Sequence, residues 1–229
     1  MRISCWHTEN EYRIPAVFEG SRHSKKEEAY EKVYDLQKKR LDQIEAAKIC
    51  EKMRPFHADI TAEAKVCYDD ENLYVQLSAK EKEIRAELTG DYDMVCRDSC
   101  LEFFFSPDPM SERYLNIEMN PNCSVFLGLG CGPKDCVRLL PLSRKRYGFH
   151  AVSERSEDGW SVTYAVPFIL IRLFFSDFSP YPGLKIRGNF YKCGDECVEP
   201  HYLSWNPVKE QPGGGSFHYP PCFGELEFE

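Results

Sequence analysis

Two short runs near the middle of the chain, inside residues 98–120, alternate between apolar and polar side chains. Their alternating apolar positions are Leu101, Phe103, Phe105, Leu115, Ile117 and Met119. Because successive side chains of a strand point to opposite faces, the runs predict two paired antiparallel strands. If both apolar sets face one core, Glu102, Asn116 and Glu118 lie together on the opposite face of the sheet.

That opposite face carries carboxylates and an amide beside aromatic residues. Such a surface suits a polyhydroxylated ligand, since carboxylates accept strong hydrogen bonds from hydroxyl groups. The alternative is an ordinary solvated face, because antiparallel sheets commonly have one polar side. Both interpretations remain open from the pattern alone.

Residues 24–53 differ in composition, with no glycine or proline and many charged side chains. Apolar residues recur there at nearly helical spacing, at Ala29, Val33, Leu36, Leu41, Ile44 and Ala47. This pattern predicts one or two amphipathic helices across the edge of a β domain. The segment is interpreted as a helical insertion or edge segment within a single domain that spans residues 1–229.

From residue 62 onward the pattern is that of short strands separated by turns. An acidic turn, Asp69 to Asn72, is predicted to close a hairpin, and residues 167–175 could form a short buried helix. Many short strands with regular turns predict an all-β, antiparallel β-sandwich preceded by a helical segment. The inward residues are expected to include Phe103, Phe105, Leu115, Ile117, Phe190 and Phe228.

The formal charge of −8, without a basic block, argues against nucleic acid or anionic membrane as partners. The N-terminus shows no signal-peptide pattern, and no apolar run is long enough to span a bilayer. We therefore expect a cytoplasmic protein.

Eleven cysteines are present, an odd number that argues against a disulfide framework. Their spacings do not reproduce the paired two-residue gap of structural zinc sites. The thiols are therefore expected to be largely unbridged, and no metal or cofactor is predicted. The acidic turn could hold calcium, although turns are often acidic without an ion. His201 and His218 lack the spacing of a zinc ligand set.

Four separated blocks, AKVCYDDENLYVQL, DSCLEFFFSP with YLNIEMNP, NFYKCGDE with HYLSWNP, and FHYPPCFGELEFE, resemble family 9 carbohydrate-binding modules. The similarity is strongest to the stand-alone carbohydrate-binding family 9-like proteins of bacteria and covers residues 58–229. It implies a jelly-roll-like, DOMON-related β-sandwich that binds a mono- or oligosaccharide on a sheet face without catalysis.

The resemblance also implies site residues. In that family the sugar lies between two tryptophans and is hydrogen-bonded by a glutamate. Trp205 in LSWNP matches one tryptophan and Glu102 in LEFFF matches the glutamate, whereas Cys96 stands where the second tryptophan is expected. Asn116 and Glu118 occupy the neighbouring strand. Weaker candidates on a further strand are Arg187, Asn189 and Tyr191.

Two other classes of function remain open. Glu102 and Glu118 could act as the carboxylate pair of a glycoside hydrolase, if their separation on adjacent strands suits it. A haem or redox domain would need axial ligands, for which Met94, Met119 and His201 are available.

Overall fold

The computed structural model describes residues 11–15, 38–90, 93–132, 134–139, 149–209 and 215–229. The first seven strands are β1 (Glu11–Ile14), β2 (Ala47–Ile49), β3 (Glu51–Lys52), β4 (Thr61–Tyr68), β5 (Asn72–Lys80), β6 (Cys100–Ser106) and β7 (Tyr114–Met119). The others are β8 (Val125–Gly130), β9 (Val137–Arg138), β10 (Val152–Arg155), β11 (Gly159–Pro167), β12 (Lys185–Gly194), β13 (His201–Ser204) and β14 (Gly224–Phe228).

These strands form two sheets. The larger sheet has the order β1-β14-β12-β6-β7-β8-β9, with β13 paired to both β12 and β3. The smaller sheet has the order β10-β11-β5-β4-β2. Among the described strands, β1 and β14 pair in parallel and the other pairs are antiparallel. The predicted all-β sandwich is therefore confirmed.

The core lies between the two sheets and draws on strands from β1 to β14. All six residues predicted to face inward are members of it: Phe103, Phe105, Leu115, Ile117, Phe190 and Phe228. The ring of Phe103 stacks on Phe105 and on Phe190, with centroids 4.7 and 4.8 Å apart. Burial of these large rings supplies much of the hydrophobic stabilisation.

The helical prediction for residues 24–53 is wrong in its C-terminal part. Residues 38–41 are helical, but Ala47–Ile49 form strand β2 against β4, and Glu51–Lys52 form β3 against β13. Ala47 and Ile49 are buried and Lys48 is exposed, which is the period-two pattern of a half-buried strand. Tertiary pairing thus overrides the helical spacing seen in the sequence. Residues 24–37 lie outside the described residues.

Several local predictions hold. The acidic turn joins β4 to β5, where the Asp69 carboxylate accepts backbone N–H bonds from Glu71 and Asn72 and a hydroxyl bond from Tyr74. This is a structural role for the aspartate, and calcium binding at the turn stays a prediction. The short buried helix is α1 (Phe168–Arg172).

The cysteines of the described segments are all free thiols. Of the helices in those segments, none has the length and apolar character to span a membrane.

Candidate functional site

The register of β6 and β7 brings the predicted carboxylates together. Glu102 lies directly opposite Glu118, and Asn116 precedes Glu118 by two residues on the same face. These side chains point away from the core, since Phe103 and Ile117 between them point into it. We call Glu102, Asn116 and Glu118 the carboxylate cluster. It lies on the outer face of the larger sheet.

Both glutamates are deeply recessed, with 2% of Glu102 and 6% of Glu118 exposed. Burial, followed by repulsion from Glu118, raises the pKa of Glu102 well above its ordinary value. Burial raises the pKa of Glu118 to about 7, although the amide of Asn116 donates a hydrogen bond of 2.9 Å to its Oε1 and opposes the shift. Burial thus favours the protonated form of both carboxyls, in which each can donate one hydrogen bond as well as accept others.

Asn116 contributes a second acceptor to the cluster. Its Oδ1 is buried and has no hydrogen-bond partner among the described residues. An unpaired buried amide oxygen is costly, because it has lost its bonds to water without a replacement. The atom therefore retains an unused capacity to accept a hydrogen bond.

Thiols surround the carboxylates. Cys193 on β12 donates to Oε1 of Glu102 at 2.9 Å, and Cys100 lies directly opposite Cys193. Cys96 is half-buried in the same cluster, and burial together with Glu118 and Glu102 raises the pKa of its thiol. The structure thus places Cys96 close to the two carboxyl groups.

Three aromatic rings that sequence reasoning did not select lie beside this face. Phe217 stacks on Tyr191 with centroids 4.1 Å apart and an interplanar angle of 17°, and it meets the edge of Tyr202. Phe126 on β8 is opposite Glu118 in the register. The alternation along β8 places Phe126 on the same face as Glu118, so its position could have been predicted from the sequence. Phe217 follows a run of glycines, and no alternating pattern there predicts which way its ring points.

The predicted role of Trp205 as the aromatic wall is wrong. The ring packs in the core against Phe190 and Tyr12, with centroids 5.6 and 6.5 Å away, and 5% of the residue is exposed. The physical reason is alternation: His201, Leu203 and Trp205 are all buried and in phase at the end of β13. The indole therefore lies on the opposite side of the larger sheet from Glu102.

The candidates on β12 have different positions. Arg187 donates to the carbonyl of Phe223 and pairs with Ser106 in the register, away from Glu102. Asn189 is fully buried and its amide bonds to the backbone of Asn206 and Cys222, so its role is structural. Neither reaches the carboxylate cluster.

Tyr191 is directly opposite Glu102 in the register. It is fully buried under Phe217, and its hydroxyl donates to the carbonyl of Phe217 at 3.1 Å. The ring therefore supports Phe217 rather than presenting its own face.

The two histidines and the two methionines considered above each have their own contacts and do not form a common site. His201 bonds to Lys192 and to the carbonyl of Glu199, and His218 bonds to the hydroxyl of Tyr114. Met119 is part of the core, whereas Met94 is exposed and accepts from Arg138. These contacts give no support to an axial ligand pair for haem.

A wide groove of about 750 Å³ lies elsewhere, beside Ser78, Ser161 and Glu63 on the smaller sheet. Its aromatic member, Trp160, is buried and donates its N–H to Glu81 at 2.5 Å. The groove therefore lacks an exposed ring for stacking, and we assign the candidate site to the carboxylate cluster.

The protein is thus an all-β sandwich with a recessed polar patch on the outer face of its larger sheet. The family model described as carbohydrate-binding family 9 matches residues 29–228, nearly the whole chain. The chain belongs to carbohydrate-binding family 9. No curated protein sequence matches it.

Solved structures agree with this assignment. The chain is similar to a candidate carbohydrate-binding protein from Bacteroides uniformis, with 26% identity, a TM-score of 0.73, and 96% of this chain and 99% of that chain covered. It shares its fold with a family 9 module from Caldicellulosiruptor kristjanssonii solved with glucose, at 12% identity, a TM-score of 0.62 and 96% of both chains covered. The same organism's family 9 module solved with cellotriose gives 15% identity and a TM-score of 0.58, covering 96% of this chain and 94% of that one.

Proposed function

We propose that the protein is a non-catalytic binding protein for a mono- or oligosaccharide. The observation that carries the proposal is the carboxylate cluster, in which two facing glutamates adjoin the unpaired buried oxygen of Asn116. Sugars offer several adjacent hydroxyls that both donate and accept hydrogen bonds, and the carboxyl groups and the Asn116 amide can do the same. Family membership, and the glucose and cellotriose held by the two relatives' modules, support this ligand class.

The aromatic surface of the proposed site comes from Phe217. Its ring is half-buried and is held flat by Tyr191 beneath it. An aromatic face can cover the C–H side of a sugar ring while the hydroxyls bond elsewhere. Phe217 thus replaces Trp205 in the stacking role that the sequence had suggested.

A glycoside hydrolase is the second candidate, because it would use the same two glutamates. A hydrolase of this type needs environments that push the two pKa values apart, so that one carboxyl is protonated and the other ionised. Here the pKa of Glu102 is raised well above its ordinary value and that of Glu118 to about 7, which is the observation that keeps the hydrolase as a second candidate. Family membership favours binding, and we expect no turnover in a screen of aryl glycosides.

Calorimetry with glucose, cellobiose and cellotriose tests the proposal. The parent protein should bind at least one of them. At about pH 8, where a carboxyl with a pKa of about 7 is ionised, Glu118→Gln should weaken that binding about fivefold, because a charge-assisted bond exceeds a neutral one by roughly 1 kcal/mol. Glu157→Gln, at the exposed turn between β10 and β11, is the matched control and should bind like the parent. Equal affinity of Glu118→Gln and the parent would place the site elsewhere.

A further inference from the structure

Three donor atoms from two neighbouring strands converge beneath the candidate site. Cys100 and Cys193 are directly opposite each other on β6 and β12, and Glu102 follows Cys100 by two residues on the same face. One sulfur from each cysteine and one carboxyl oxygen of Glu102 all lie within 4.8 Å of one another. At most 2% of any of the three residues is exposed.

We propose that Cys100, Cys193 and Glu102 bind a zinc ion. Zinc–sulfur bonds of about 2.3 Å in a tetrahedral arrangement place two sulfurs about 3.8 Å apart. The observed separations require a shift of about 1 Å or less to reach that geometry. The Cys193 thiol already donates to Glu102 Oε1 at 2.9 Å, so the thiol and the carboxyl group face each other without an intervening side chain.

The charge balance of this region supports a cation. Glu102 and Glu118 are both buried, and none of the ion pairs found among the described residues includes either glutamate. Lys192 is close to Glu102 but pairs with Glu81 and His201. Buried charges are costly unless they are paired or coordinate a metal, and a divalent ion would offset the two carboxylates.

The donor types select the metal. Thiolate ligands favour zinc and disfavour calcium and magnesium, which prefer oxygen ligands throughout. Cys96 packs against the same cluster, and its carbonyl oxygen is 3.7 Å from the Cys193 sulfur, but its thiol is not part of the converging set. The set therefore supplies three protein ligands and leaves the fourth position of a tetrahedral zinc ion open. On binding, the two thiols and the carboxyl of Glu102 each release a proton to solvent and coordinate as two thiolates and a carboxylate.

Cysteine spacing along the chain could not reveal this set, because Cys100 and Cys193 are brought together by strand pairing. The inference shares Glu102 with the proposed sugar site but does not rest on sugar binding, and its test contains no sugar.

The test uses the full chain, stripped with a chelator and kept reduced by a phosphine. Titration with cobalt(II) should give one bound ion per chain with a sulfur-to-cobalt charge-transfer band, and zinc should displace it, whereas calcium should not. Cys193→Ser and Cys100→Ser should each lose the band and weaken zinc binding by on the order of 100-fold. Substitution of a residue that only hydrogen-bonds to a metal ligand already lowers metal affinity by about 10–100-fold, and these variants remove a ligand itself. Cys67→Ser, a buried thiol on the smaller sheet, is the matched control and should bind like the parent.

A second measurement needs no variant. X-ray absorption of the zinc-loaded parent should show at least two sulfur neighbours at about 2.3 Å. The proposal is overturned if the folded, reduced parent binds no zinc, if the ion has no sulfur neighbour, or if both serine variants retain the band. A parent in which Cys100 and Cys193 form a disulfide, and which binds no metal once reduced, also overturns it.

Discussion

The indole ring of Trp205 packs on the ring of Phe190, with centroids 5.6 Å apart, on the core side of the larger sheet. Glu102 lies on the other side of that sheet, so the two residues cannot contact one ligand. Trp205 is therefore a core residue, and its substitution should act on stability before it acts on binding.

Trp205→Ala should lower the free energy of unfolding by about 3–5 kcal/mol, because it leaves a large cavity beside Phe190 and Tyr12. Trp205→Phe keeps an aromatic ring and should cost less. Guanidinium denaturation of the three proteins measures both values. A Trp205→Ala protein with unchanged stability but no affinity for sugar would restore the tryptophan to the binding site.

Much of the fold was predictable because alternation determines which face is buried. Phe103 and Ile117 are correctly placed inward, and this alone puts Glu102 and Glu118 on one outer face. The role predicted for Trp205 is wrong because it rests on the family match in LSWNP alone. The phase of Trp205 with Leu203 is the period-two signal of a strand that continues inward, and that local pattern outweighs the family match.

Other features depend on contacts that no local pattern carries. The cysteines of the proposed zinc site are paired across strands far apart in sequence. Phe217 owes its position to stacking on Tyr191. Residues 47–52 form strands because β4 and β13 offer them open edges, which outweighs their helical spacing.

Phe217→Ala should weaken sugar binding by about tenfold or more, since base–aromatic stacking contributes about 1–3 kcal/mol and 1.4 kcal/mol is a factor of ten. The ring is half-buried, so the variant should remain folded. Calorimetry gives the affinity and a thermal melt gives the stability. Tyr181→Ala removes a ring that is 58% exposed outside the site and should bind like the parent. Unchanged affinity of Phe217→Ala would remove this ring from the proposed site.

A buried charged network lies at one end of the core. Lys192 is fully buried, and its Nζ is 3.2 Å from Glu81 Oε2 and 2.7 Å from His201 Nε2. Trp160 donates its N–H to the other Glu81 oxygen at 2.5 Å. Because these polar groups are buried, each needs its partner in the network to replace the hydrogen bonds and charge solvation that water would supply.

Lys192→Met should lower the free energy of unfolding by about 3–5 kcal/mol, because it leaves Glu81 buried without its cation. Adding Glu81→Gln to that variant should recover part of the loss, since the uncompensated charge is then removed. Urea denaturation of the parent, both single variants and the double variant measures the coupling. Additive losses would show that the two residues act independently.

The pH dependence of stability should report on His218. Its Nδ1 is 2.7 Å from the hydroxyl of Tyr114 and its ring lies against Phe104, and burial lowers its pKa below the ordinary value. The unfolded chain therefore binds a proton more readily, near the ordinary histidine pKa of about 6.5. Stability from this group is present above that pH and is lost as the pH falls through the lowered folded-state pKa.

His218→Asn keeps a polar atom near Tyr114 but cannot take up the proton. Between about pH 8 and pH 5 the parent should lose more stability than His218→Asn does, since only the parent must keep a buried imidazole neutral. The difference between the two proteins at about pH 8, where both side chains are neutral, measures the packing change alone and is subtracted. Denaturation curves at several pH values supply the comparison. If the two proteins lose the same stability on acidification, protonation of His218 is not coupled to folding, and its contact with Tyr114 is accessible to water.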